Sequence, residues 1–453
     1  MSATAIYLGL DLGTTSAKVG AFDREGVLVA ECSGDYPLLH PEPGAAVQDV
    51  RAIVDVAESL LTGIMTELPH PPAGLGISCP MHGVLLLNQS GEPTGPVVTW
   101  ADVRPQQVMD EFSPLLRSRL LQRTGTPVHP MSPLVKLRWM NRHRPELLEG
   151  AVALSDLKSY LIDRWTTCGA LLDEQLASAT GLLNLESRDW DKEALRLAGG
   201  DRDLALKLPT VVPGDTLLEW KAEVADRMGV ADLPLVIGGS DGCLANLGSG
   251  ITEPGQVSLT VGTSGAVRVT HRGKPARTDH QLFDYLLFDD YAVLGGATNN
   301  GGKVLEWTYE LLQAHFDSIG DMLEAASAAP DAELYFRPYL FGERAPIWDA
   351  LATASFTGLR GHHTATDLAR AVLLGVTDNI VEILRQVEQA TCPAEVIYAS
   401  GGFTRSAGWL KLLEERSGRR VEVAQTPQAS AYGAALMARR ALEKQPQAER
   451  RQQ

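Results

Sequence analysis

Residues 6–21, IYLGLDLGTTSAKVGA, decide how the chain is read. Apolar residues run to a single acid, Asp11, give way to Gly13, Thr14, Thr15 and Ser16, and resume near Val19. That is the pattern of a strand, a tight polar turn and a second strand. Glycine beside small hydroxyl residues lets backbone N–H groups approach an anion closely, and the hydroxyls add donors of their own. Such a turn cradles phosphate. An acid two residues before the glycine can hold Mg²⁺ directly or through water, and phosphate with magnesium points to ATP. Taken alone, the segment also fits an ordinary hairpin with a polar turn.

A second copy weighs against the ordinary hairpin. In residues 256–269, QVSLTVGTSGAVRV, the run Leu259-Thr260-Val261-Gly262-Thr263-Ser264 repeats Leu10-Asp11-Leu12-Gly13-Thr14-Thr15. Internal repetition implies two related halves, each presenting a hydroxyl-rich hairpin to one nucleotide. Thr260 stands where the first copy has its acid, so a metal carboxylate is expected only at Asp11.

The chain of 453 residues is long enough for two domains with sizeable cores, expected at 1–236 and 237–453. A net charge of −16 repels polyanions and argues against nucleic acid or an anionic membrane as partner. The cysteines Cys32, Cys79, Cys168, Cys243 and Cys392 lack CxxC or CxxH spacing, which disfavours a zinc site or a disulfide framework. Neither a signal peptide nor a membrane-length apolar run is read, so a cytoplasmic location is expected.

Taken in order, Val50, Ile53, Val54, Ala57, Leu60, Leu61 and Ile64 fall at helical spacing behind Asp49, a fitting N-cap. Residues 74–79 read as a buried strand that delivers Met81-His82-Gly83 at its C-terminal edge, where ligands of open α/β sheets bind. Trp100, Asp102 and Arg104 alternate, so an extended segment would turn all three to one side; the other reading of this acid and base is an ion pair. A helix is expected to start at Pro133. Residues 234–237 form an apolar strand running into Gly238-Gly239-Ser240-Asp241-Gly242, which places a carboxylate rigidly at a strand end. Thr366 is expected to cap a long core helix, and residues 395–399 form a strand entering Ser400-Gly401-Gly402. A helix near 406–416 follows, stopped by Gly418. A strand, a glycine pair and a helix N-terminus suit an adenosine. An Ala-rich helix after Gln428 is expected to complete the second half, with 443–453 a polar tail.

These residues together resemble the FGGY carbohydrate kinases. One signature is met in residues 131–143, with Pro133, Lys136, Trp139, Arg142 and His143. A second is recognisable in residues 354–375, with Phe356, Gly358, Asp367 and Ala371, although Leu374 stands where an acid is common. The resemblance implies an α/β protein of two ribonuclease-H-like domains, as in the actin, hexokinase and Hsp70 superfamily, with a nucleotide and substrate cleft between them. It implies that Asp11 is the magnesium-associated acid and that Gly13, Thr14 and Thr15 form the first phosphate loop. Gly262, Thr263 and Ser264 resemble the second loop, and Gly401, Gly402 and Ser406 the adenosine motif. Asp241 takes the place of the catalytic base. Met81, His82, Gly83, Trp100, Asp102 and Arg104 match substrate-contacting segments.

The family's xylulose kinases usually show Asp-Asn at the base. This chain has Asp241-Gly242 within GGSDGCLANLG, which looks like the gluconate kinases, as does GTPVHPMSPLVKL from Gly125. The expected reaction is therefore transfer of the ATP γ-phosphoryl to gluconate, a small sugar acid, with a homodimer as the assembly the resemblance allows. Arg104, Lys136, Lys158 and Arg344 are the cations available for a substrate carboxylate. The rivals are a xylulose kinase or another polyol or ketose kinase of the family and, more remotely, an actin- or Hsp70-like ATPase that phosphorylates no metabolite.

Overall fold

A computed structural model describes residues 5–204, 207–273, 281–426 and 428–451. The chain divides into two compact units. The first comprises residues 1–250, 285–292 and 426–453, and the second comprises 251–284 and 293–425. The cut expected at 236/237 would fall inside a strand, Leu235–Ser240, that is hydrogen-bonded into the first unit's sheet.

That sheet has six strands: β1 (Tyr7–Leu12), β2 (Ser16–Phe22), β3 (Leu28–Asp35), β4 (Gly74–Cys79), β5 (Leu217–Leu218) and β6 (Leu235–Ser240), in the order β5-β6-β4-β1-β2-β3. Here β1 to β3 form an antiparallel meander, while β4 and β6 run parallel to β1. The helix α1 (Val50–Glu67) starts at Asp49, whose side chain accepts from Arg51 N–H, and buries the predicted stripe from Val50 to Ile64 except Leu60, which is only half-buried. That stripe joins the core formed by Leu8, Leu10, Ile77 and Ile237. Of the further helices, α2 (Pro133–His143) packs into a separate cluster with Val84, Leu86 and Val98, α3 (Leu157–Trp165) joins the sheet's core through Leu157, Leu161 and Trp165, and α4 (Asp241–Gly248) follows β6 directly.

The second unit holds most of another six-stranded sheet, of which residues 285–288 and 291–292 are counted to the first unit. Its strands are β7 (Gln256–Val261), β8 (Gly265–Arg272), β9 (Phe283–Phe288), β10 (Tyr291–Thr298), β11 (Val396–Ser400) and β12 (Arg420–Val423), in the order β9-β10-β8-β7-β11-β12. The β7–β8 hairpin with parallel β11 reproduces β1–β2 with parallel β4, as the repeat requires. Its helices include α5 (Gly302–Leu312), α6 (Ala365–Ala390) and α7 (Ala407–Ser417). Thr364, not Thr366, caps α6, because Asp367 completes a capping box with it. Ser406 and Gly418 cap the two ends of α7.

The Ala-rich helix α8 (Ala429–Arg451) lies on the first sheet rather than the second, and it continues through most of the expected polar tail, whose last two residues lie outside the described ones. Its alanines pack with Tyr7, Phe22 and Val236. The helix backbone comes so near that a Cβ on Gly9 or Gly76 would overlap the carbonyl groups of Ala431 and Ala434. Gly76→Ala is therefore expected to lower unfolding stability by at least about 1–3 kcal/mol, the usual range for overpacking. A thermal or urea midpoint equal to that of the parent would contradict this close approach.

Candidate active site

In the first unit the register of three parallel strands sets out a row: Asp11 lies opposite Ser78, and Ser78 opposite Gly239. The Ser78 hydroxyl donates to Asp11 Oδ1 at 2.6 Å. Burial raises the Asp11 pKa, while the Ser78 hydrogen bond and the charges of Lys18 and Lys158 pull it back down. Beyond Asp11, Gly13 N–H closes the turn on Ser16 O at 2.8 Å. Three side chains brace this loop: Tyr36 donates to Gly13 O at 2.8 Å, Gln48 to Thr14 O at 2.7 Å and the Trp100 indole to Thr14 Oγ1 at 3.1 Å. Thr15 is exposed at the tip.

Directly after β6, Asp241 opens α4 as its first residue, behind the N-cap Ser240. Its Oδ1 accepts from Gly242 N–H at 2.7 Å, and its carbonyl accepts from the Ser430 hydroxyl at 3.2 Å. A half-buried carboxylate at a helix N-terminus is stabilised by the helix dipole and held in one orientation. Both Asp11 and Asp241 thus belong to the first unit, although the expected cut placed Asp241 in the second.

Met81-His82-Gly83 follows β4 as a turn. His82 has φ +69°, a left-handed conformation that costs a residue with a Cβ, and its backbone is held there. Its Nδ1 donates to Ala179 O at 2.7 Å, which fixes the tautomer. Its carbonyl accepts from Lys136 Nζ at 2.5 Å.

Asp102 and Arg104 do not serve as expected. Residues 100–101 form a turn rather than an extended segment, so the three side chains do not share a side. Asp102 is fully buried; the Arg104 guanidinium grips it, also pairs with Glu42, and stacks 4.9 Å from the Trp139 ring. These two residues brace the loop, and Trp100 alone of the three reaches the turn at Gly13-Thr14-Thr15. The cations considered for a substrate carboxylate are likewise engaged inside the protein. Lys136 and Lys158 are wholly buried against backbone carbonyls, and Arg344 Nη2 donates to Thr298 O at 3.1 Å.

The second unit carries the matching turn. Gly262 N–H donates to Ser264 O at 2.9 Å, and Gly302 N–H, at the start of α5, donates to Gly262 O at 2.7 Å. Thr260 Oγ1 meets Ser400 Oγ at 2.9 Å, the counterpart of Asp11 and Ser78. A cavity of about 910 Å³ opens beside this turn. Gly262, Thr263, Gly402 and Ser406 line it, with Phe403 and Leu323 supplying apolar wall and Arg405 a positive charge. Its volume and mixed lining suit a nucleotide. Ser264 and Gly401 shape the adjoining backbone: Gly401 has φ +96°, and a Cβ there would overlap Val261 O. Ser406 Oγ accepts from Trp409 N–H, so its oxygen serves as the cap of α7.

Sequence reasoning passed over Ser78, Tyr36 and Gln48, and marked Gln175 only as a departure from the serine that the resemblance expects after Asp173. Ser78 had a signal, since a hydroxyl residue recurs at the matching strand end as Ser400. The other three reach their partners across 23 residues or more and have no local signature.

Burial lowers the Lys136 pKa to about 7, with Asp102 opposing the shift. An unfolded lysine titrates at about 10.4. From pH 7 up to that value the unfolded chain binds the extra proton, so this residue makes stability rise with pH, by at most about 1.4 kcal/mol per unit. Urea midpoints measured from pH 6.5 to 9.5 should show a difference between the parent and Lys136→Met that changes across this window; parallel curves would contradict the burial of a titrating ammonium.

The comparisons with known proteins agree with this geometry. Residues 6–248 match the N-terminal domain of the FGGY family of carbohydrate kinases, and residues 257–442 match its C-terminal domain. The gluconokinase of Bacillus subtilis is 34% identical over 96% of this chain and 87% of its own length. Two solved structures from Lactobacillus acidophilus each cover 97% of this chain and 90% of their own with a TM-score of 0.90: a gluconate kinase at 30% identity and a ligand-bound xylulose kinase at 31%. Among the described residues no helix is long and apolar enough to cross a membrane. With a duplicated hairpin fold, a nucleotide-sized cavity and both domain models matched, the chain belongs to the FGGY family of carbohydrate kinases and is a sugar phosphotransferase using ATP.

Proposed function

We propose that this kinase transfers the γ-phosphoryl of ATP to the primary hydroxyl of D-gluconate, giving 6-phosphogluconate, with Asp241 as general base. The observation that carries the choice of sugar is the likeness to the Bacillus subtilis gluconokinase along 96% of the chain. It is joined by Asp241-Gly242, where the xylulose kinases resembled by the chain usually show Asp-Asn. A xylulose kinase is the second reading, supported by the equal TM-score of the Lactobacillus acidophilus xylulose kinase. The gluconate reading does not rest on a carboxylate paired with Arg104, Lys136, Lys158 or Arg344, all of which have partners inside the protein.

Phosphoryl transfer needs alignment and charge stabilisation more than covalent chemistry. In the proposed step Asp241 accepts the proton of the sugar hydroxyl, the alkoxide oxygen bonds to Pγ, and the bond from Pγ to the bridging oxygen breaks to release ADP. The Gly242 N–H and the start of α4 hold the Asp241 carboxylate for that task. The turns at Gly13-Thr14-Thr15 and Gly262-Thr263-Ser264 supply backbone and hydroxyl donors for phosphate oxygens, and the Gly402 cavity takes the adenosine. Met81, His82, Gly83 and Trp100 are assigned to the sugar's surroundings.

Asp11 fits Mg²⁺. It is an oxygen ligand already oriented by Ser78, and no cluster of three His, Cys, Asp or Glu groups occurs among the described residues. A single carboxylate suits an ion that keeps several waters and is completed by substrate phosphates. When bound there, the metal supplies positive charge to the phosphate oxygens.

A coupled ADP-release assay against gluconate, xylulose, ribulose and glycerol tests the sugar: kcat/KM should be highest for gluconate, and preference for xylulose would establish the second reading. Asp241→Asn should lower kcat by at least about 10²-fold, the lower range for general-base catalysis, while ADP binding measured by titration calorimetry stays within about twofold. Near-parental turnover in this variant would remove Asp241 from the mechanism.

A further inference from the structure

The strand that carries Asp241 is irregular just before it. Against β4, Val236 faces Gly76 and Gly239 faces Ser78, so Ile237 and Gly238 together face the single residue Ile77. This is a β-bulge, a device that re-aims a strand next to a site. Gly238 sits at φ +74°, and a Cβ there would overlap the backbone of Ile77. The bulge's N–H groups are taken by Thr216 O and Gly214 O, but a bulge also strands carbonyls that a ladder would have paired.

We propose that Lys158 and Gln175 are positioning residues for phosphoryl transfer, clamping this bulge so that Asp241 meets the acceptor hydroxyl. Lys158, fully buried on α3, donates from Nζ to Ile77 O at 2.9 Å, Ile237 O at 3.0 Å and Gly239 O at 2.7 Å. Three ammonium hydrogens meet three carbonyls. Asp173 Oδ2 lies 3.1 Å from the same nitrogen and balances its charge. Asp173 also caps the short helix Glu174–Ser178, which carries Gln175. Gln175 Oε1 accepts from Ser240 N–H at 3.1 Å and its Nε2 donates to Leu287 O at 2.8 Å. Both edges of residues 237–240 are thus held by side chains from elsewhere in the chain, and the next residue is Asp241.

The Lys158 charge is also felt by the acids around it. It opposes the upward shift that burial imposes on Asp11, on Asp156 and on the Cys79 thiol. Replacing the lysine together with its acid removes the buried charge pair at little cost, but it also leaves three carbonyls without a donor, so the split between kcat and KM, rather than stability, separates a positioning role from a structural one. The inference rests on Asp241 being the base, and the test separates the two. Lys158→Met alone would leave the Asp173 carboxylate buried without its cation, so the informative proteins are the double variant Lys158→Met with Asp173→Asn, whose asparagine still caps the short helix, and the single variant Gln175→Leu, which buries no charge.

In both, kcat with the sugar should fall at least about tenfold, in keeping with the cost of a small misplacement of reacting groups, while KM for ATP stays within about twofold; the double variant, whose methionine leaves three buried carbonyls without their donor, is expected to melt below the parental midpoint and to stay folded at the assay temperature. Parental kcat in either folded variant, in an enzyme that Asp241→Asn silences, would overturn the clamp while leaving the base in place. A kcat loss matched by loss of ATP binding would also overturn it, since that is the mark of a general structural role. Turnover retained in Asp241→Asn would instead strike the base assignment itself.

Discussion

The alignment of three parallel strand ends, Asp11 beside Ser78 beside Gly239, constrains everything else in the first unit's site. Strand pairing is fixed in steps of one residue, and a slip of one would turn each of these side chains to the opposite face. Because the row is set, the chain leaving β4 must enter the turn at His82, and the chain leaving β6 must enter α4 at Asp241. The cost of this arrangement appears where the backbone departs from regular geometry: at His82, held in a left-handed conformation under the Lys136 ammonium, and at the bulge of Ile237 and Gly238 under the Lys158 ammonium. In each case a buried lysine ends on carbonyl oxygens, an arrangement in which cationic donors satisfy acceptors that no strand could reach.

The second unit repeats the constraint with different chemistry. Thr260 opposite Ser400 preserves the geometry of Asp11 opposite Ser78 while removing the charge. Its turn is tied to the start of α5 through Gly302, and that start is in turn organised by Glu343, a buried carboxylate accepting from Thr298, Asn299 and Asn300. Burial pushes the Glu343 pKa up, and these hydrogen bonds counter it. Duplication thus gave two hairpins of one shape, of which one keeps an acid suited to a metal and the other adjoins the nucleotide-sized cavity.

Much of this was legible because its causes are local. The hydroxyl-rich turns, the strand at Gly74–Cys79 and the helix bounded by Ser406 and Gly418 each follow from a few adjacent residues whose preferences agree. Asp241 was legible for the same reason, as an acid between glycines after an apolar run. What could not be read depends on partners distant in sequence. Arg104 and Asp102 looked like ligands until Glu42 and Ala46 closed around them. Lys136 and Lys158 looked like surface cations for a carboxylate, because nothing beside them in sequence announces the carbonyls they bury against. The docking of α8 on Gly9 and Gly76 joins residues more than four hundred and more than three hundred positions apart, respectively, and only the glycines hint at a close neighbour.

A crystal structure with ADP and gluconate tests the account most directly. The account places the adenine in the cavity lined by Gly402, Phe403 and Arg405, and sets the sugar's primary hydroxyl within hydrogen-bonding distance of the Asp241 carboxylate. A sugar bound with that hydroxyl directed away from Asp241, or a nucleotide lodged outside that cavity, would contradict it.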